Sequence, residues 1–333
     1  MVQMKRERLP VRLDAFCVDS IWAGGRLKGQ YHKCTDLPKV AETWELSCHP
    51  RGQSVIRDGA YAGRTLSEYL EEEGREAAGT LWKDERFPLL IKLIDSDRPL
   101  SLQVHPDDTY GWRVEGEPGK TEVWYVLGTE PGAEMICGFS EDLTREEIAQ
   151  AIADGTILEK VRHIPAARGD VFFVRAGTIH GIGAGITVAE IQENSDITYR
   201  IHDYGRVGAD GKPRQLHIAQ ALDVLDGRAQ PVEKRPRGET VQIPGGTRTG
   251  IVSCEYFTVW HYASQESIGL CTGEDSFAAL TVIGGEGEIT CEERTLPVQT
   301  GDTVFVPAGI KNYQWKGKGE FLLTTLRTDW RTT

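Results

Sequence analysis

A nine-residue pattern that occurs twice limits the folds open to this chain. Gly169-Asp170-Val171-Phe172-Phe173-Val174-Arg175-Ala176-Gly177 recurs as Gly301-Asp302-Thr303-Val304-Phe305-Val306-Pro307-Ala308-Gly309. Each copy reads as a tight Gly-Asp turn, a buried strand and a second turn closed by glycine. Elsewhere glycine and proline cut the apolar stretches into runs of about four to eight residues, the length of strands rather than of helices. The chain is therefore expected to be mainly β, built as two barrels, residues 1–230 and 231–333, with a few surface helices. Two of those helices are expected over residues 65–78 and 140–153, where apolar side chains recur at helical spacing amid charge and Ser140 and Thr144 resemble caps.

Composition excludes several classes. A net charge of -12 over 333 residues argues against a nucleic-acid partner, and the one compact basic run, Lys234-Arg235-Pro236-Arg237, lies among prolines and reads as a solvated linker. No apolar run approaches the roughly 20 residues of a membrane helix, and the N-terminal residues lack a signal-peptide core, so a cytoplasmic location with no membrane partner is expected. The seven cysteines are scattered without a Cys-x-x-Cys pair, as reduced thiols would be. In so acidic a chain, an anionic substrate needs a local cluster of cations to draw it in.

Ser101-Leu102-Gln103-Val104-His105 alternates polar and apolar residues in extended backbone, so Ser101, Gln103 and His105 share one face. If protein covers both faces, three polar groups line a cavity and require hydrogen bonds or a metal. Glu122 and His180 lie on two further strand-like segments of the first barrel. Lys120 shares the alternation of Glu122 and turns inward with it. Two imidazoles, a carboxylate and an amide oxygen would leave an open coordination position on zinc, with manganese, cobalt or iron as alternatives. Two separate interior histidines with a surface Glu122 remain an open reading at this point, as does an iron oxygenase site in which Gln103 is no ligand. The second copy of the repeat has Asn312 where the first has His180, so the C-terminal barrel is expected to hold no metal.

The same residues carry a resemblance that runs nearly end to end. Ile21-Trp22-Ala23-Gly24-Gly25, Glu42 to Ser47, Phe87 to Lys92, Leu100 to Asp108, Lys120-Thr121-Glu122, Ala176 to Gly181 and Asn194 to Arg200 occur in order. The chain resembles the class I mannose-6-phosphate isomerases, or phosphomannose isomerases, in their short bacterial form. The resemblance implies cupin-type jelly-roll barrels and one zinc ion per chain on Gln103, His105, Glu122 and His180. It implies catalysis by Arg200, with Lys120, Asp196 or a metal-activated water moving the proton, and a phosphorylated hexose as substrate. Lys92 follows from the family motif and Ser101 from its inward position as substrate-binding residues, and the assembly is expected to be a monomer or homodimer. A sugar-binding or regulatory cupin without turnover is the competing reading. It should have lost the charged reaction groups, whereas Lys120, Asp196 and Arg200 are all present. His202 departs from the family pattern, standing where many short relatives have an aromatic residue.

Overall fold

The structure, a computed structural model, describes residues 8–208, 211–232 and 234–327. Its strands form sheets of ten, six, five and two strands. The six-stranded sheet is the middle layer. Its strands Leu89–Ser96 and Ile186–Glu193 are buried along their whole length, because protein covers both faces. On one face Ile94, Trp124, Val126, Phe172 and Val188 meet Met135, Cys137 and Ile182 of the five-stranded sheet. On the other, Leu46, Leu89, Ile91, Val123 and Ile191 meet Val252, Phe257, Ala279, Phe305 and Leu322 of the ten-stranded sheet. The chain is thus mainly β, as its punctuation predicts, but its sheets stack as layers and among the described residues none closes into a continuous barrel.

Both copies of the repeat adopt one conformation. Gly169 and Gly177 have φ of 88° and 84°, and Gly301 and Gly309 have 93° and 84°, values that a Cβ would oppose. In each copy the aspartate closes its turn through a backbone N–H three residues back: Asp170 accepts from Ala167 at 2.7 Å and Asp302 from Gln299 at 3.0 Å. The strands that follow, Val171–Val174 and Thr303–Val306, lie in the six- and ten-stranded sheets respectively.

The ten-stranded sheet also recruits chain from the N-terminal part. Val11–Asp14 pairs with Thr303–Val306 on one side, Val11 opposite Phe305, and with Val55–Ile56 on the other. A buried ion pair ties the same regions together, Lys33 Nζ lying 2.6 Å from Glu45 Oε1 while Thr303 Oγ1 donates to Glu45 Oε2.

The two expected helices form with adjusted limits. Leu66–Glu73 begins with a Thr65–Glu68 capping box and stops at Gly74, whose φ of 84° turns the chain into the single turn Arg75–Ala77. Arg145–Ala153 is capped by Thr144 rather than Ser140, whose hydroxyl donates to the Lys160 carbonyl. Short helices at Asp108–Val114 and Ile218–Val224 lack a periodic sequence signal long enough to read. The basic run is no free linker: Lys234 Nζ sits 3.0 Å from Asp170, and Arg237 lies over the Phe173 ring. No helix among the described residues is long and apolar enough to cross a membrane.

Candidate metal centre and active site

The alternation at residues 101–105 is realised. Leu102 and Val104 pack with Ile136, Ile148, Tyr199 and Ala221 on the helix-covered face of the five-stranded sheet. Gln103 pairs directly with His180 across the sheet, and His105, one turn of pleat further on, reaches the same place. Glu122 comes from the facing six-stranded sheet, at the start of Glu122–Thr129.

His105 Nε2 and His180 Nε2 lie 3.1 Å apart, with Glu122 oxygens at 3.7 Å from the first and 3.5 Å from the second. Both other ring nitrogens are engaged, His105 Nδ1 with the Ile197 carbonyl at 2.7 Å and His180 Nδ1 with the Thr178 carbonyl at 2.8 Å. A carbonyl only accepts, so each Nδ1 carries the hydrogen and each Nε2 of a neutral ring presents a lone pair. Burial depresses both imidazoles, His180 to about 4, so the rings are neutral at pH 7.

The centre therefore gathers two lone pairs and a carboxylate at full burial, with the Lys120 ammonium 3.2 Å from Glu122 Oε2 on the cavity side. Burial and then the charge of Glu190 raise Glu122 to about 8. Such a set repels itself unless a cation lies between its members. The spacing suits one, since ligand atoms about 2.1 Å from a metal lie roughly 3.0–3.4 Å from each other. The nitrogen of the Gln103 amide, at 3.3 Å, faces His180, while its oxygen accepts from Ser101 Oγ at 3.1 Å. Gln103 becomes an oxygen ligand after a half-turn of its amide, which Ser101 accommodates by accepting instead of donating.

Beside this centre is a cavity of about 280 Å³. Ser101, Gln103, Asp196 and Thr198 line it, with the cations Arg51, Lys92, Lys120, Arg200 and Arg214 against the acids Glu42, Glu190 and Asp196. Lys120 Nζ is 3.2 Å from Glu122 and 3.7 Å from Glu190, and Lys92 Nζ is 3.3 Å from Glu42 and 3.4 Å from Glu190. Trp124 Nε1 donates to the remaining Glu190 oxygen at 2.9 Å. Arg200 Nη1 donates to the Gln215 carbonyl, and its buried Nε has no partner.

Comparison with known proteins accords with this geometry. Residues 12–120 match the family model of the phosphomannose isomerase type I catalytic domain, and residues 247–326 that of the mannose-6-phosphate isomerase cupin domain. The mannose-6-phosphate isomerase of Streptococcus mutans is 37% identical over 94% of this chain and 97% of its own length. A Bacillus subtilis mannose-6-phosphate isomerase is 37% identical over 92% of this chain and 96% of its own. The crystal structure of a Bacillus subtilis mannose 6-phosphate isomerase superposes with a TM-score of 0.89 at 34% identity, covering 95% of this chain and 99% of that one. The chain belongs to the class I mannose-6-phosphate isomerase family.

In this phosphomannose isomerase family member, all nine residues expected from sequence reach one region: the cluster His105, Glu122 and His180, and around it Gln103, Ser101, Lys92, Lys120, Asp196 and Arg200. Burial alone would lower the Lys120 ammonium, but Glu122, Glu190 and Glu42 together hold it above its ordinary value. Sequence reasoning missed Glu190, Arg214 and Arg51. Glu190 had a readable signal, as the one acid within the apolar stretch Ile186-Thr187-Val188-Ala189-Glu190-Ile191, opposite the lone cation of Leu89-Leu90-Ile91-Lys92-Leu93-Ile94. Arg214 and Arg51 lie in loops, where no periodicity marks a direction.

Proposed function

We propose that this chain interconverts mannose 6-phosphate and fructose 6-phosphate as a metal-dependent aldose–ketose isomerase, moving a proton between C1 and C2 through an enediol. The observation that carries the reading is the convergence of two imidazole lone pairs and a fully buried carboxylate beside a small, cation-rich cavity. His105, Glu122 and His180 would hold the metal, with Gln103 as fourth ligand. Zinc is our assignment for a set of nitrogen and oxygen donors without thiolate, which manganese, cobalt or iron also tolerate. When bound, the ion supplies Lewis-acid polarisation of the sugar oxygens on the reacting carbons.

The chain's own groups account for the remainder. Arg200 has a buried guanidinium nitrogen without a partner and no ion pair among the described residues, so it can share the charge that develops on the enediol oxygens. Lys120 and Asp196, both in the cavity wall, are the proton-transfer candidates. Arg214, with Ser101 and Lys92, gives the phosphate a cationic receptor in a chain whose net charge would otherwise repel it. Residues 1–230 would form the catalytic unit and residues 231–333 a metal-free support. A sugar-binding cupin without turnover would not need the Lys120, Asp196 and Arg200 set.

The test is to strip the protein of metal, add mannose 6-phosphate, restore zinc, manganese, cobalt or iron one at a time, and follow fructose 6-phosphate. Turnover should return with a divalent ion and be lost in His180→Ala and Arg200→Ala. Turnover that survives chelation, or that His180→Ala leaves intact, would overturn the reading.

A further inference from the structure

A chain of polar contacts runs from the ten-stranded sheet to the backbone that carries Lys120 and Glu122, and the chemistry above does not use it. Tyr256 lies between the strands Gly246–Ser253 and Phe257–Ser264, and its hydroxyl donates to Asp108 Oδ2 at 3.1 Å. Asp108 Oδ1 accepts the Gly119 N–H at 2.8 Å. Glu193 Oε1 accepts the Thr121 N–H at 2.7 Å, and the Glu193 N–H reaches back to the Thr121 carbonyl at 3.2 Å.

The Glu193 carboxyl lies close enough to Asp108 for the two to act on each other electrostatically. Glu193 is buried, and burial together with the charge of Asp108 raises its carboxyl to about 9. The peptide N–H groups on both sides of Lys120 thus end on two neighbouring carboxyl groups, while the Lys120 N–H ends on the Pro106 carbonyl at 3.0 Å. The fit leaves no slack at Gly119, where a Cβ would stand 2.4 Å from the Asp107 carbonyl carbon.

We propose that Tyr256, Asp108 and Glu193 are positioning residues through which the C-terminal sheet sets the place of the Lys120 ammonium and the Glu122 carboxylate. The second half of the molecule thereby acts on the centre without lining it. The proposal rests on the isomerase reading for its kinetic test, but a metal spectrum tests it separately.

The experiment compares the full chain with Tyr256→Phe, Glu193→Gln and Glu193→Ala, measuring mannose 6-phosphate turnover and the visible absorption of the cobalt-loaded proteins. A reacting group displaced by 1 Å loses roughly 100-fold in rate; with part of the network intact, Tyr256→Phe should lower kcat about 3- to 10-fold and Glu193→Ala about 10- to 100-fold, with KM within about 3-fold. Glu193→Gln keeps an oxygen acceptor for the Thr121 N–H, so it should restore kcat to within about 3-fold of the parent. The cobalt absorption should shift in Glu193→Ala and return in Glu193→Gln. If the parent itself fails to turn over the sugar phosphate, the isomerase reading fails while the cobalt spectra still decide the positioning. A Tyr256→Phe protein with parental kcat and parental cobalt spectrum overturns the proposal, as does Glu193→Gln losing as much as Glu193→Ala.

Discussion

Replacing Asp203 by asparagine tests whether the arginines near the sugar cavity form a receptor for phosphate. Asp203 is 6% exposed and accepts from Arg214 Nε at 2.8 Å and Arg214 Nη2 at 2.5 Å, while Arg206 binds the same carboxylate. Arg200 stands close enough that burial and then Arg214 and Arg206 lower its pKa, with Asp203 opposing them. One carboxylate thus serves a group of three guanidinium ions. Breaking a buried pair by removing one partner costs about 3–5 kcal/mol, and the lower end applies because Arg206 and Arg214 keep some contact with water. We expect Asp203→Asn to lose about 3 kcal/mol, read from the urea midpoint at pH 7. Inorganic phosphate should replace part of the missing charge; at a hundredfold excess over its Kd a ligand adds about 2.7 kcal/mol to the native state. Acid provides a second check. Burial alone would raise the Asp203 carboxyl, but Arg214 and Arg206 hold it below its ordinary value. The stability it contributes is present above its unfolded pKa of about 4 and is lost as pH falls through the lower folded value, so Asp203→Asn should lack that part of the parent's acid sensitivity. A loss under about 1 kcal/mol, or a midpoint indifferent to phosphate, would refute the reasoning.

Other consequences can be measured directly. Glu122→Gln removes the one anionic donor of the centre, and since changes to groups merely supporting metal ligands cost 10- to 100-fold, its Kd for zinc should rise by more than about 100-fold in competition with a chromophoric chelator. Trp124→Phe takes from Glu190 its indole hydrogen bond, worth about 1.5–3 kcal/mol to a charged acceptor, and should lower stability by at least that amount in urea unfolding. Gly177→Ala places a Cβ at a φ of 84° and 3.0 Å from the Val224 carbonyl oxygen, so its thermal midpoint should fall, whereas Gly25→Ala, with open space around it, should leave the midpoint within about 1 °C.

Much of the centre was legible because extended chain has a strict period. Once Leu102 and Val104 are assigned to an apolar face, Ser101, Gln103 and His105 have only the opposite one, and the sheets confirm it. The repeat was legible for a related reason: a Gly-Asp turn with φ near 90° restricts composition strongly enough to be seen twice. The layering was not, because which face of Val123 or Leu322 meets which sheet depends on partners far away in sequence. The receptor arginines were hidden because loop residues have no period, and the acids around Lys120 were hidden because Glu190 and Glu42 come from other strands and meet it only after folding.

The strand Val11–Asp14, held between Thr303–Val306 and Val55–Ile56, has a bearing on how the molecule is made. A ribosome adding roughly 5–20 residues per second emits the early strand some 15–60 s before its later neighbour exists. During that interval Val11 and Leu13, buried in the finished molecule, have only Val55–Ile56 beside them, and one edge of Val11–Asp14 is open to any other strand that passes. Nascent chains of this protein are thus exposed to mispairing until Thr303–Val306 has been made, and helpers that shield such edges should matter more for its yield than for the durability of the folded product.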